Sequence, residues 1–209
     1  MKKIILKLCV VVIISLVFVS CGPTIYRSSD AKDLASNHNS LAILPAKITI
    51  EARKNIAPQA IEEQQQKQAF VFQDAIYTWI LRQKSKNRIY AEIQDIEKTN
   101  AILKKIWEEQ LLTMSPAEIG KALGVDAVLF SNFSLSKPMS TGAAIATTFL
   151  LGWSGTTNSV SSTLKVYDTS KDKLIWSFDH KLSGGLFSTP NMLVDWLMKK
   201  ASKKIPHRR

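Results

Sequence analysis

The chain has 209 residues, 45% of them hydrophobic, and a net charge of +11 at pH 7. That apolar share is enough to bury a proper core, which excludes a disordered tail. Its two cysteines, Cys9 and Cys21, both lie at the very start, so the rest of the chain holds no disulfide and no cysteine metal site.

The start reads MKKIILKLCVVVIISLVFVSCG. Lys2, Lys3 and Lys7 are followed by an apolar run from Leu8 to Val19, broken only by Ser15. A spanning helix needs about 20 apolar residues, whereas a run near a dozen fits the centre of a secretory signal. The end of the run, Phe18 to Gly22, resembles the lipobox of bacterial lipoproteins, with Phe18 in place of the more usual Leu. The resemblance implies that residues 1–20 are a signal peptide and that Cys21 is lipidated and becomes the first mature residue. Residues 21–39 are polar and rich in Ser, Asn and Asp, and they read as a lipidated flexible tether. The domain is expected over 40–209.

Leu41 to Ile50 (LAILPAKITI) has the nearly continuous apolar run of a strand buried on both faces, with pairing expected to lapse at Pro45. A helix is predicted from Ile61 to Lys84, its stripe made by Ala69, Phe72, Ile76, Trp79 and Ile80. Arg88 to Ile93 is a short strand, and Asp95 an N-cap for a helix to about Trp107. In SPAEIGKALG, Ser115 caps, Pro116 starts the helix, Glu118 completes a capping box and Gly124 ends it. The strand VDAVLFSNFSLS follows. Val160 to Asp168 and Lys173 to Leu182 alternate with period two and form an antiparallel hairpin. Thr189 and Pro190 open a last helix to about Lys204. The expected fold is a single α/β domain, a mixed five-stranded sheet with flanking helices, closed by a C-terminal antiparallel hairpin plus helix.

Between residues 137 and 158 the chain holds AAIATTFLLGW, uncharged and rich in small residues. It reads either as a helical turn packed on the domain or as an exposed apolar contact for a bilayer or a partner, through Ala143, Ile145, Phe149, Leu150, Leu151 and Trp153. The basic tail, Lys199 to Arg209, suits a helix C-terminus or an anionic surface.

Catalytic motifs fail one by one. Gly152-Trp153-Ser154-Gly155 has its second Gly one place early for a nucleophile elbow. Of three histidines, His38 falls in the tether and His207 in the tail, leaving His180 on the hairpin as the single candidate base. There is no phosphate-binding Gly loop and no metal-ligand spacing. The expectation is no enzyme, no metal and no cofactor beyond a covalent lipid on Cys21.

Ala42-Ile43-Leu44-Pro45, Thr99-Asn100-Ala101-Ile102-Leu103, the run from Ser115 to Leu129 and Lys173-Leu174-Ile175-Trp176-Ser177 together resemble a group of envelope lipoproteins. These are the curli-secretion lipoprotein CsgG, the LpoB-type activators of penicillin-binding proteins and a set of neisserial lipoproteins, with the TolB N-terminal domain more distant. The resemblance implies a lipid-tethered α/β domain acting by contact at the outer membrane, on the periplasmic side. Its partners would be the membrane, an envelope protein and further copies of itself, with no nucleic acid. The alternative is an oligomeric membrane pore or transport component using 143–153 or the 160–182 hairpin.

Overall fold

Period-two and period-3.6 patterns alternate along the chain, and the computed structural model turns them into one mixed sheet with helices packed on it. The structure describes residues 22–51, 57–106, 108–136, 159–183 and 190–208. Its strands are β1 (Thr24–Arg27), β2 (Ser40–Ile43), β3 (Lys47–Glu51), β4 (Glu92–Ile93), β5 (Ala127–Ser136), β6 (Ser159–Asp168) and β7 (Lys173–Ser183). The helices are α1 (Ala31–Ser36), α2 (Pro58–Ser85), α3 (Ile96–Lys105), α4 (Glu108–Thr113), α5 (Pro116–Leu123) and α6 (Pro190–Ala201). The sheet is seven-stranded in the order β1-β7-β6-β5-β2-β4, with β3 also pairing β5. β2, β3 and β4 belong to the parallel part, and β5, β6, β7 and β1 to the antiparallel part.

Two additions raise the count from the expected five. The first is that Leu41 to Ile50 forms two strands, not one. Ile43 lies level with Leu129 and Lys47 with Asn132, so one strand spends an extra residue where Pro45 cannot donate. Ala46 N–H turns instead to the Ala69 carbonyl of α2, at 3.1 Å.

The second corrects the tether. Residues 24–36 are ordered as β1 and α1: β1 pairs with β7, and Ala31 and Ala35 are fully buried. A polar composition hid this because β1 is held by backbone amides, not by buried side chains. α1 buries only two alanines, and Leu34 packs against the same core from a half-buried position.

Each face of the sheet has its own core. On one, Phe72, Ile76, Trp79 and Ile80 of α2 and Leu193, Val194, Leu197 and Met198 of α6 meet Phe133, Leu164, Trp176 and Phe178. On the other, Ala42, Leu44 and Val128 pack under Leu103, Ile119 and Leu123. β2 therefore feeds both cores, as its continuous apolar run requires. Asp95 caps α3 by accepting from Glu97 N and Lys98 N, and the Ser115–Glu118 capping box closes in both directions.

Gly120 on α5 marks a close approach. A Cβ there would lie 2.1 Å from Thr169 Oγ1 in the β6–β7 turn. Gly120→Ala is expected to cost about 1–3 kcal/mol in urea unfolding, because helix and turn must move apart. Gly124 carries no such contact but sits at φ 69°, where only the left-handed strain counts.

Candidate functional site: a buried Asp–His–His chain

Three segments far apart in sequence meet where β2 and β5 begin and β6 ends. His38 follows α1, whose Ala35 carbonyl accepts its N–H at 3.1 Å. Asp168 is the last residue of β6, and His207 lies in the tail beyond α6. His38 Nε2 is 2.7 Å from Asp168 Oδ2, and His38 Nδ1 is 2.8 Å from His207 Nε2. All three side chains are buried, His207 completely. The second carboxylate oxygen of Asp168 accepts from Ser170 Oγ at 2.9 Å and Lys171 N–H at 2.6 Å, so one side chain holds both the turn and the imidazole.

The protons follow from these partners. Burial pushes the Asp168 carboxyl up, but hydrogen bonds from His38, Lys171 N–H and Ser170 outweigh it and hold it below the usual carboxylate value. The ionised Asp168 Oδ2 accepts a hydrogen bond from His38 Nε2–H. With Nε2–H engaged by the carboxylate, His38 Nδ1 is assigned as the acceptor of His207 Nε2–H. That leaves His207 Nδ1 bare, and this atom is buried without a partner. Burial, with a contribution from the charge of His38, pushes His207 down to about 3.

This depression sets a pH dependence. Unfolded His207 titrates near 6.5 and the folded one near 3, so the unfolded chain binds the extra proton between those values. Stability is therefore complete above about pH 6.5 and falls on acidification, by at most about 1.4 kcal/mol per pH unit from this group. Asp168 adds a loss of the same sign at lower pH. His180, whose pKa burial lowers from 6.5 with help from Lys200, adds a loss of the same sign that begins as the pH falls below about 6.5. His207→Phe is expected to flatten the profile between pH 6 and 4, measured as urea midpoints.

An Asp–His pair is the orienting half of a hydrolytic triad. Here the third place is filled by a second imidazole with no solvent-facing nitrogen, so no nucleophile stands at the end of the chain. The arrangement ties segments together: Arg27 Nη2 of β1 donates to the Lys204 carbonyl, and Ile89 bridges Arg208. A cleft of about 460 Å³ opens beside it, lined by Asn37, His38, Lys121, Asp126, Asp168 and Lys171. Asp126 is already committed, accepting from Asn39 N, Ser40 N and Ser40 Oγ at 2.9–3.0 Å.

His180 takes no part. Its ring stacks on Trp196 at 5.1 Å and 9°, and both its nitrogens are buried without hydrogen-bond partners. Asp179 points to the other face of the sheet, bonded to Thr163 and Ser177. The one base that the sequence offered thus has no orienting carboxylate. Among the described residues no group of three or more His, Cys, Asp or Glu side chains could hold a metal ion, and no helix is long and apolar enough to cross a membrane.

Cys21 and the apolar residues Ala143, Ile145, Phe149, Leu150, Leu151 and Trp153 lie outside the described residues. The 160–182 hairpin lies inside the sheet: β6 is flanked by β5 and β7, and β7 by β6 and β1. β6 is paired on both edges and β7 is paired with β1 over Trp176–Asp179, and the inward side chains of both arms, Val160, Leu164, Val166, Trp176 and Phe178 among them, lie in the main core.

No family model matches the chain, and no curated protein matches it. Among solved structures it is similar to lipoprotein GNA1162 from Neisseria meningitidis, at 14% identity and a TM-score of 0.40 over 80% of this chain and 96% of that one. It is similar to the LpoB C-terminal domain from Salmonella enterica at 12% identity and a TM-score of 0.37, over 74% of this chain and 96% of that one. The PelC dodecamer from Paraburkholderia phytofirmans matches at 12% identity and a TM-score of 0.41, over 90% of this chain and 99% of that one. At these TM-scores the likenesses carry no argument about what this chain does.

Proposed function

We propose that this protein is a lipid-anchored envelope lipoprotein that docks an envelope partner and catalyses nothing. Residues 1–20 are removed, Cys21 is acylated, and the domain is held at the outer membrane on its periplasmic side. Within this reading it is one of the CsgG- and LpoB-type lipoproteins to which its motifs are similar. The observation that carries the reading is a cysteine-ended apolar leader running directly into a folded domain whose buried Asp168–His38–His207 chain has no nucleophile and no open nitrogen. The side chains from Ala143 to Trp153 are the proposed contact with a partner or with the bilayer.

Cross-linking in intact cells, followed by capture with an antibody, tests this. One envelope protein recovered in stoichiometric amount is the expected result. Recovery of the chain alone, in cross-linked multiples, favours an oligomer in place of a foreign partner. Repeated recovery of the uncross-linked monomer contradicts the docking role.

A further inference from the structure

The anchor and the sheet are too close for the domain to stand away from the membrane. β1 begins at Thr24, three residues after Cys21, and three extended residues reach at most about 11 Å. Pro23 has no N–H to extend the ladder, so the paired strand starts as early as the sequence permits. The pairing is firm in direction: Thr24 is level with Asp179, Thr163 and Asn132 across four neighbouring strands, and Arg27 with Trp176, Val166 and Leu129. Carried two residues back from Thr24, the same register brings residue 22 level with Lys181 and Ser161, both exposed. Tyr26, 47% exposed, stands on the same face as Lys181.

We infer, resting on the lipidation of Cys21 proposed above, that this end of the sheet is seated on the lipid surface in a fixed orientation. Gly22, Thr24, Ser161 and Lys181 lie at headgroup depth, with Tyr26 beside them as an interfacial aromatic. The occupant of this end is the bilayer that receives the acyl chains, because the three-residue step from Cys21 to the start of β1 reaches at most about 11 Å. The opposite end then points into solvent. Asp126 is six residues before Asn132 on the same strand run, about 20 Å further from the membrane at 3.3 Å per residue. That end carries the cleft of Asn37, Lys121 and Lys171 and the Asp168–His38–His207 chain, turned away from the membrane.

The test uses the acylated full-length chain in phosphatidylethanolamine–phosphatidylglycerol vesicles bearing a headgroup spin label. With no other cysteine in the mature chain, single fluorescent labels are placed through Ser161→Cys and Lys171→Cys, both at exposed positions. The expected result is quenching several-fold stronger at residue 161 than at 171. A Gly/Ser linker of about 20 residues inserted after Gly22, which spans about 25 Å as a coil, should erase that difference. Equal quenching at both positions without the linker overturns the seating while leaving the anchor intact. A chain that fails to sediment with the vesicles overturns the anchor, and the seating with it. Circular dichroism of each labelled chain, matched to the parent, shows that the fold is unchanged; a label that fails this check is moved to Tyr26→Cys or Ser170→Cys at the same two ends.

Discussion

His38→Leu is expected to destabilise the domain by about 3 kcal/mol at neutral pH, read as a drop of about 6–12 °C in Tm. The substitution strands a buried carboxylate with one side of its shell missing and leaves His207 with no partner on either nitrogen. Removing one partner of a buried charge-assisted bond costs more than removing both. The double variant His38→Leu with Asp168→Leu should therefore recover part of the loss, although Ser170 and the Lys171 amide then lose their acceptor. A single variant as stable as the parent would show that the three segments are held by packing alone.

The second large effect concerns location. With residues 1–20 exchanged for a cleavable secretory leader and Cys21→Ser, the chain is expected to move from the membrane pellet into the soluble fraction. Each buried methylene contributes about 0.8 kcal/mol, and one myristoyl chain alone gives only marginal binding, so losing every acyl chain leaves nothing comparable. Under the seating inferred above, the exposed residues near the anchor, Tyr26 and Lys181 among them, would orient the domain without holding it. A Cys21→Ser chain that stays in the pellet after a high-salt wash would transfer the membrane attachment to the protein itself, and with it the case for an embedded oligomer.

Local signals were legible in proportion to how local their causes are. The capping box of Ser115 and Glu118, the Asp95 cap, the stripe on α2 and the period-two arms of the hairpin all depend on neighbours within a few residues, and each is found where the pattern put it. Pro45 was read as a lapse in pairing, and the register slips by one residue there. What the pattern missed was made at long range. β1 exists because β7 offers it a free edge about 150 residues downstream, a fact that no window over TIYR contains. His38 and Asp168 are 130 positions apart, and His38 and His207 are 169 apart. No spacing rule joins them. The available hints were indirect: Ala31, Leu34 and Ala35 at helical spacing ahead of His38, and an Ile205-Pro206 pair inside a basic tail. α6 also ends at Ala201, short of Lys204, which lets Ile205, Pro206 and His207 turn inward.

The same long-range contacts give the molecule its polarity. One end of the sheet receives the chain from Cys21; the other gathers the Asp–His–His chain, the β6–β7 turn and the cleft. Acylation would then orient the domain as well as retain it, and the latch between the first and last segments would keep the far end in shape.

Mass spectrometry of the N-terminal peptide of the mature protein bears most directly on the central claim. The lipoprotein reading predicts a peptide that begins at Cys21, carries the mass of a diacylglyceryl thioether, and is accompanied by no peptide from residues 1–20. A mature chain that begins elsewhere, or a Cys21 recovered as a free thiol, contradicts it.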